Sequence, residues 1–137
     1  MSDPRPSHTI VEIPNIVDPR GQLVFMQTGA QVPFDIRRLF VIHRMPEGAE
    51  RGGHAHREQH QFLTMLEGTC TITIDNGETC VPVTLDSSRI ALHAPPMLWL
   101  ELSGFSAGAV CAVLTSGDYD EADYIRDRSE FDRLTRT

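Results

Sequence analysis

The stretch TITIDNGE, residues 71–78, alternates between polar and apolar side chains and then reaches Asn76-Gly77. Alternation with a period of two is typical of a β-strand that buries one face. Asn-Gly is the preferred pair for a two-residue type I′ turn between antiparallel strands. The stretch therefore predicts a β-hairpin whose turn is centred on Asn76 and Gly77.

Runs of the same type recur along the chain, separated by clusters of Gly, Pro, Asn, Asp and Ser. The nine runs are residues 9–13, 21–27, 38–43, 60–66, 69–75, 79–85, 89–94, 98–102 and 108–116. About nine short strands at this spacing predict a closed or sandwiched all-β fold. Residues 120–134 have the only helical pattern, with Tyr124, Phe131 and Leu134 on one face and Asp120 or Asp123 as the N-cap.

Composition narrows the classes of function. The chain has 137 residues without a repeat or linker, so we predict one domain over residues 1–137, with residues 1–8 as a poorly ordered lead-in. The net charge of −7 argues against a nucleic-acid partner. All twelve basic residues are arginines, so no lysine is present for a Schiff base or a P-loop.

The cellular location also follows from composition. No apolar run reaches the roughly 18 residues of a membrane span, and the N-terminus lacks the basic and apolar regions of a secretory signal. Three cysteines without CxxC spacing fit a protein kept reduced. We therefore predict a cytoplasmic protein without a membrane partner.

The stretch RGGHAH, residues 51–56, carries the clearest candidate chemistry. In an extended strand, residues two apart face the same way, so His54 and His56 are expected to project together. Two imidazoles on the concave side of a barrel have three interpretations. They are structural histidines, metal ligands or acid–base groups.

This stretch resembles the first motif of the cupins, in which a glycine precedes HxH, an acidic ligand follows, and a second glycine stands at the position of Gly68. Gln61 occupies the place of the acidic ligand. The second cupin motif ends in a histidine ligand, and Leu100 occupies that place. A transition-metal site needs three or four donors of suitable type, so we predict a pocket without metal.

Three segments carry a closer resemblance: RGGHAHREQHQFLTMLEG (51–68), APPMLW (94–99) and SGDYDEADYIRDRSEF (116–131), with DPRGQL (18–23) in support. Together they resemble the WxcM-like, RmlC-like sugar 3,4-ketoisomerases over about residues 9–134. The resemblance implies a cupin jelly-roll barrel with a short C-terminal helix. It also implies a homodimer that moves the carbonyl of dTDP-4-keto-6-deoxyglucose from C4 to C3 in deoxyamino-sugar biosynthesis, without a metal or an organic cofactor.

By this resemblance, His54 and His56 share the proton transfers. A neutral imidazole, with a pKa of about 6.5, can take the C3 proton to give an enediolate and return a proton at C4. Arg51 and Arg38 are candidates for the diphosphate, because a guanidinium binds phosphate oxygens in bidentate fashion. Further candidate substrate contacts are Gln61, His43 and Trp99, although Trp99 also suits a position in the barrel wall.

The chain departs from the family pattern at several positions. Phe40 and Val41 replace a tyrosine pair, Leu100 replaces a histidine, and His93 stands where a phenol is common. Tyr119 and Tyr124 are expected to serve in packing or in C-terminal structure. Two other functions therefore stay open: a nucleotide-sugar-binding cupin without catalysis, and a metal-dependent cupin enzyme.

Overall fold

The computed structural model describes residues 5–136. The strands are β1 (Thr9–Glu12), β2 (Asn15–Asp18), β3 (Gly21–Val24), β4 (Arg38–His43), β5 (Arg51–His56), β6 (Gln61–Glu67), β7 (Cys70–Asp75), β8 (Cys80–Leu85), β9 (Ile90–Ala94), β10 (Trp99–Ser103), β11 (Val110–Thr115) and β12 (Tyr124–Ile125). A 3₁₀ helix spans Glu121–Asp123 and the helix α1 spans Arg128–Thr135. No helix within the described residues has the length and apolar character needed to cross a membrane.

The strands form two five-stranded sheets, in the orders β1-β9-β6-β11-β4 and β12-β5-β10-β7-β8, beside the separate pair β2-β3. Neighbouring strands within both sheets are antiparallel. Each of the nine predicted runs contains one strand, and the all-β jelly-roll prediction is confirmed. Pro82 lies on the edge strand β8, where a residue without an N–H is tolerated.

The main core lies between the two sheets. Alternate residues of β7 point inward, so that Cys70, Ile72 and Ile74 are buried while the threonines between them are not. Side chains from β6, β9, β10 and β11 complete this core, among them Leu63 and Leu100. The period-two pattern of the sequence therefore decides which face of each strand is buried.

Parts of the outer faces of both sheets are also covered. Phe62 on β6 packs against Val32 of the segment that leads from β3 to β4. On the other sheet, Trp99 packs with Phe131 of α1 and Ile125 of β12. The sequence predicts a poorly ordered lead-in over residues 1–8. Residues 1–4 lie outside the described residues, and Arg5 donates a hydrogen bond to the Asn76 carbonyl.

The predicted turn type at Asn76-Gly77 is wrong, although the hairpin is present. Asp75 pairs with Cys80, so four residues connect β7 and β8. Only Gly77 in this loop has a positive φ, of 94°, whereas a type I′ turn needs two such residues. The Asn76 side chain instead accepts hydrogen bonds from the amides of Glu78 and Thr79, which moves the turn one residue along the chain.

The predicted helix over residues 120–134 is shorter than expected. Asp120 caps the 3₁₀ helix through Ala122, and Asp127 caps α1 by accepting from the Ser129 amide. Between the two helices, Tyr124 and its neighbour form β12, because their backbone pairs with the end of β5. Tyr124 therefore lies on a strand and not on a shared helix face with Phe131.

Candidate active site

A cleft of about 330 Å³ lies between β4, at the edge of one sheet, and β5 of the other. Its polar lining comes from His43, Arg51, His54 and Gln61. Its apolar lining comes from both sheets: Phe40, Val41, Ile42, Leu63, Leu100 and Leu102. The cleft thus joins the histidine motif to the interior of the jelly roll.

His54 and His56 project to the same side of β5, as their spacing predicts. Their ring centroids lie 5.3 Å apart and the rings are nearly perpendicular. His54 lines the cleft, whereas His56 is 4% exposed and lies beneath it. The two histidines therefore meet different surroundings, although they stand only two residues apart.

Asp123 holds His56 in one orientation. The His56 Nδ1 lies 2.9 Å from the Asp123 carboxylate, which also accepts hydrogen bonds from the backbone amides of Glu58 and Gln59. A carboxylate at Nδ1 fixes the proton on that nitrogen and leaves the lone pair of the neutral ring on Nε2. Sequence reasoning missed this residue, treating Asp123 only as a candidate helix cap.

Gln61 forms a hydrogen bond with the other ring nitrogen of His56. The Gln61 amide nitrogen lies 3.2 Å from His56 Nε2 and donates to its lone pair. Gln61 is buried and also lines the cleft, so its second N–H is available to an oxygen of a bound molecule. Burial lowers the pKa of His56, opposed by Asp123, so this ring is neutral near pH 7.

His54 is also neutral near pH 7. Burial lowers its pKa to about 4, with smaller contributions from His56 and the Arg126 guanidinium. Its buried Nδ1 has no hydrogen-bond partner of good geometry among residues 5–136. A neutral imidazole at the wall of a cleft is suited to accept a proton.

The segment from Tyr119 to Arg126 covers the histidine pair. The Tyr124 ring lies 4.9 Å from the His54 ring and 4.4 Å from the His56 ring. The Arg126 guanidinium lies over the Tyr124 ring and forms an ion pair with Glu121, to which the Tyr119 hydroxyl also donates. Tyr124 therefore packs against both histidines, so the packing role expected for it is played at the candidate site itself.

The two arginines predicted to bind a diphosphate lie at different ends of the site. Arg51 lines the cleft, and its guanidinium forms no hydrogen bond or ion pair with any residue that the structure describes. Arg38 donates to Thr115 and Gln59 and lies over the rings of Phe40 and Tyr119.

His43, a predicted substrate contact, lies on the exposed side of β4 and lines the cleft. Trp99 does not reach the cleft. It faces the opposite side of β10 from Leu100 and packs on Phe131, with ring centroids 5.5 Å apart. Of its two predicted roles, the structure shows the barrel wall.

The donor set near the cleft does not form a metal site. Gln61 and Leu100 stand where the cupin motifs place a carboxylate and a histidine. No three His, Cys, Asp or Glu side chains between residues 5 and 136 are grouped so that they could hold a metal ion. His60 and His93 lie on the outer face of their sheet, where they bond to each other at 2.9 Å and contact Phe34.

Comparisons with a family model and with a curated protein both relate this chain to the same kind of protein. A family model described as FdtA: WxcM-like, C-terminal, matches residues 6–136. The TDP-4-oxo-6-deoxy-alpha-D-glucose-3,4-oxoisomerase of Aneurinibacillus thermoaerophilus is 37% identical over 122 residues, which cover 89% of this chain and 88% of that protein.

Solved structures agree with this match. The sugar 3,4-ketoisomerase QdtA of Thermoanaerobacterium thermosaccharolyticum, in complex with TDP, has a TM-score of 0.92 and 29% identity over 94% of both chains. A mutant of QdtA is also known in complex with TDP-4-keto-6-deoxyglucose. A 3,4-ketoisomerase from Helicobacter canadensis has a TM-score of 0.92 and 34% identity, over 95% of this chain and 98% of that one.

Proposed function

The chain belongs to the FdtA family of WxcM-like proteins and is a sugar 3,4-ketoisomerase, and on this premise we propose how its cleft performs the reaction. The substrate is TDP-4-keto-6-deoxyglucose, the sugar nucleotide named for its relatives. The product is the 3-keto isomer, formed through an enediolate. The observation that carries this proposal is the neutral His54 at the wall of a cleft that joins it to Gln61 and Arg51.

His54 is the base. The C4 carbonyl acidifies the neighbouring C3–H, and His54 removes that proton to give the enediolate. The same imidazole, now protonated, returns a proton to C4, while the hydroxyl proton on O3 ends on O4. No atom is gained or lost, so the reaction needs no oxidant or reductant. An anionic substrate favours the protonated imidazole and so raises the pKa of His54 from its low value in the free protein.

His56 acts through Gln61. Asp123 and Gln61 occupy both ring nitrogens of His56, which leaves this histidine no direct contact with the cleft. The free N–H of Gln61 donates to the enediolate oxygen and stabilises the charge that develops there. We therefore assign His56 as a positioning residue, with Gln61 as the group that touches the substrate.

Isotope exchange tests the assignment. In deuterated water, wild-type protein incorporates deuterium from solvent into the carbon-bound positions of TDP-4-keto-6-deoxyglucose, observed by NMR. His54→Gln is expected to abolish the exchange while retaining TDP binding, whereas His8→Gln, a histidine outside the cleft, retains both. If wild-type protein binds the sugar nucleotide without exchange, it is a binding module and the proposed function is wrong.

We propose that the protein assembles as a homodimer. Edge strand β4 exposes Leu39 at 59% and Val41 at 43%, and the β2-β3 pair exposes Ile16 and Leu23. An exposed apolar strand edge is a template for pairing with a second copy. Light scattering after size exclusion is expected to give twice the mass of one chain. The Val41→Glu variant is expected to have the mass of a single chain.

We also propose that the protein is cytoplasmic and that it forms a single domain. Cys70, Cys80 and Cys111 are all free thiols, which fits a reducing compartment such as the cytoplasm. Both large sheets contribute to one core, which fits a single domain over residues 1–137.

A further inference from the structure

Strand β5 contains a β-bulge just before the histidine motif. His54 pairs with Leu100, Gly52 pairs with Glu101, and Arg51 pairs with Leu102. Gly53 is left without a partner of its own on β10, so two glycines oppose the single residue Glu101. This count of two residues against one defines a β-bulge.

The bulge determines which way Arg51 faces. Leu100 and Leu102 are two residues apart on β10, and both are buried in the core and line the cleft. Paired residues on neighbouring strands share a face, so His54 and Arg51 both face the cleft although they stand three residues apart. In a regular strand, Arg51 would pair with Ser103 and face outward.

The two glycines permit the bulge for different reasons. Both have a positive φ, of 89° at Gly52 and 75° at Gly53, which L side chains rarely adopt. A Cβ at Gly52 would also lie 2.6 Å from the Leu100 carbonyl oxygen, whereas a Cβ at Gly53 would meet nothing within 4 Å. A side chain at position 53 therefore meets a conformational penalty alone.

Among residues 5–136, Arg51 is the arginine that lines the cleft, and its guanidinium forms no ion pair there. Glu50 and Glu101 line a second depression, which Arg51 also borders, but neither carboxylate forms an ion pair with Arg51. The other polar residues that line the cleft are His43, His54 and Gln61, which carry no negative charge. A guanidinium that faces a cleft without a carboxylate partner is suited to an anionic group, and it binds phosphate oxygens in bidentate fashion.

We propose that the Gly52–Gly53 bulge is a positioning device that turns Arg51 into the cleft, where it binds the diphosphate of the sugar nucleotide. The nucleotide then extends from His54 toward Arg51 and His43, away from Arg38 at the other end of the site. This inference rests on the proposed function, because it takes the diphosphate from the assigned substrate class.

Two substitutions at Gly53 form a matched test. Asparagine tolerates a positive φ, whereas valine, with its branched Cβ, does not, and the space around position 53 is open to both. Gly53→Val is expected to raise the Kd for TDP and the KM for the substrate about tenfold, with kcat within about twofold of wild type. Gly53→Asn is expected to keep wild-type values. Arg51→Ala is expected to match Gly53→Val, and the double variant is expected to bind no more weakly than either one.

A folded Gly53→Val protein that binds TDP as tightly as wild type would overturn the proposal, as would unchanged binding in Arg51→Ala. If Gly53→Val does not fold, deletion of Gly53 replaces it. The deletion restores one-to-one pairing and leaves Arg51 two residues from His54, so TDP binding is expected to persist, and its loss in a folded deletion protein contradicts the proposal. Wild-type protein that binds TDP without deuterium exchange would overturn the proposed function and leave the assignment of the bulge intact.

Discussion

Asp123 accepts a hydrogen bond from His56 Nδ1 at 2.9 Å, although 67 positions separate the two residues in the chain. The contact exists because the 3₁₀ helix places Asp123 directly before β12, and β12 pairs with the end of β5. Asp123 and Gln61 together occupy both nitrogens of the His56 ring. The orientation of the Gln61 amide at the cleft therefore depends on a carboxylate that does not line the cleft.

Replacing this carboxylate is expected to affect catalysis more than binding. In Asp123→Asn, the His56 ring loses its preferred tautomer and Gln61 loses a defined acceptor, so kcat is expected to fall about 10- to 100-fold. KM and the Kd for TDP are expected to stay close to wild type, since Arg51 is untouched. Steady-state kinetics give both values, with exposed Asp86→Asn as the control. Equal losses in both variants would contradict the role of Asp123.

Stability is expected to fall in mild acid. Burial lowers the pKa of His54 to about 4 from an unfolded value of about 6.5, so the unfolded chain binds more protons between these pH values. The contribution of His54 to the free energy of unfolding is therefore expected to be fully present above about pH 6.5 and to decrease as the pH falls toward 4. Denaturant titrations across this range measure it. His54→Gln is expected to show a shallower decrease, and an unchanged pH dependence in that variant would refute this origin.

The Tyr124 ring is expected to set the low pKa of His54. Burial is the largest cause of that low pKa, and Tyr124 covers His54 at 4.9 Å. In Tyr124→Ala, the pKa of His54 is expected to rise toward 6.5, which an NMR titration of the imidazole resonances measures. Tyr119→Ala is the control, because Tyr119 is 62% exposed and contacts Tyr124 but neither histidine. Equal shifts in the two variants would contradict the prediction.

Trp99 is expected to contribute to stability and not to substrate binding. Its ring is buried between β10 and α1, where it contacts Phe131. Trp99→Ala is expected to reduce the free energy of unfolding by about 3–5 kcal/mol, with an unchanged KM for the folded protein. Chemical denaturation and kinetics at low temperature test both parts, and Trp99→Phe serves if the alanine variant does not fold. A raised KM in either folded variant would restore Trp99 as a substrate contact.

Nine of the strands between residues 5 and 136 and the histidine pair could be predicted because their causes are local, whereas β2, β5 and β12 lie outside the predicted runs. Period-two patterning marks the buried face of β7, and the i, i+2 spacing brings His54 and His56 to one side of β5. The turn after β7 lies one residue later than the Asn-Gly pattern predicts, because the Asn76 side chain accepts hydrogen bonds from two amides of the loop. A pattern of side chains does not show which of several local hydrogen bonds a turn adopts.

The remainder of the site depends on contacts between distant parts of the chain. Residues 120–134 carry a helical pattern, but pairing with β5 draws Tyr124 into a strand and places Asp123 on His56. Two residues are too few for a strand pattern to be visible in sequence. The distinction between Arg51 and Arg38 likewise depends on the partners that each side chain meets after folding.

The two-residue strand β12 has a consequence for the order in which the protein is built. All other strands of the two large sheets precede Asp123 in the chain. The ribosome therefore synthesises these strands before it reaches Asp123, the residue that orients His56. A nascent chain that stops at residue 118 holds both histidines and most of the core, yet lacks Asp123 and Tyr124. Catalytic competence is thus acquired only after the other strands of the barrel have been synthesised.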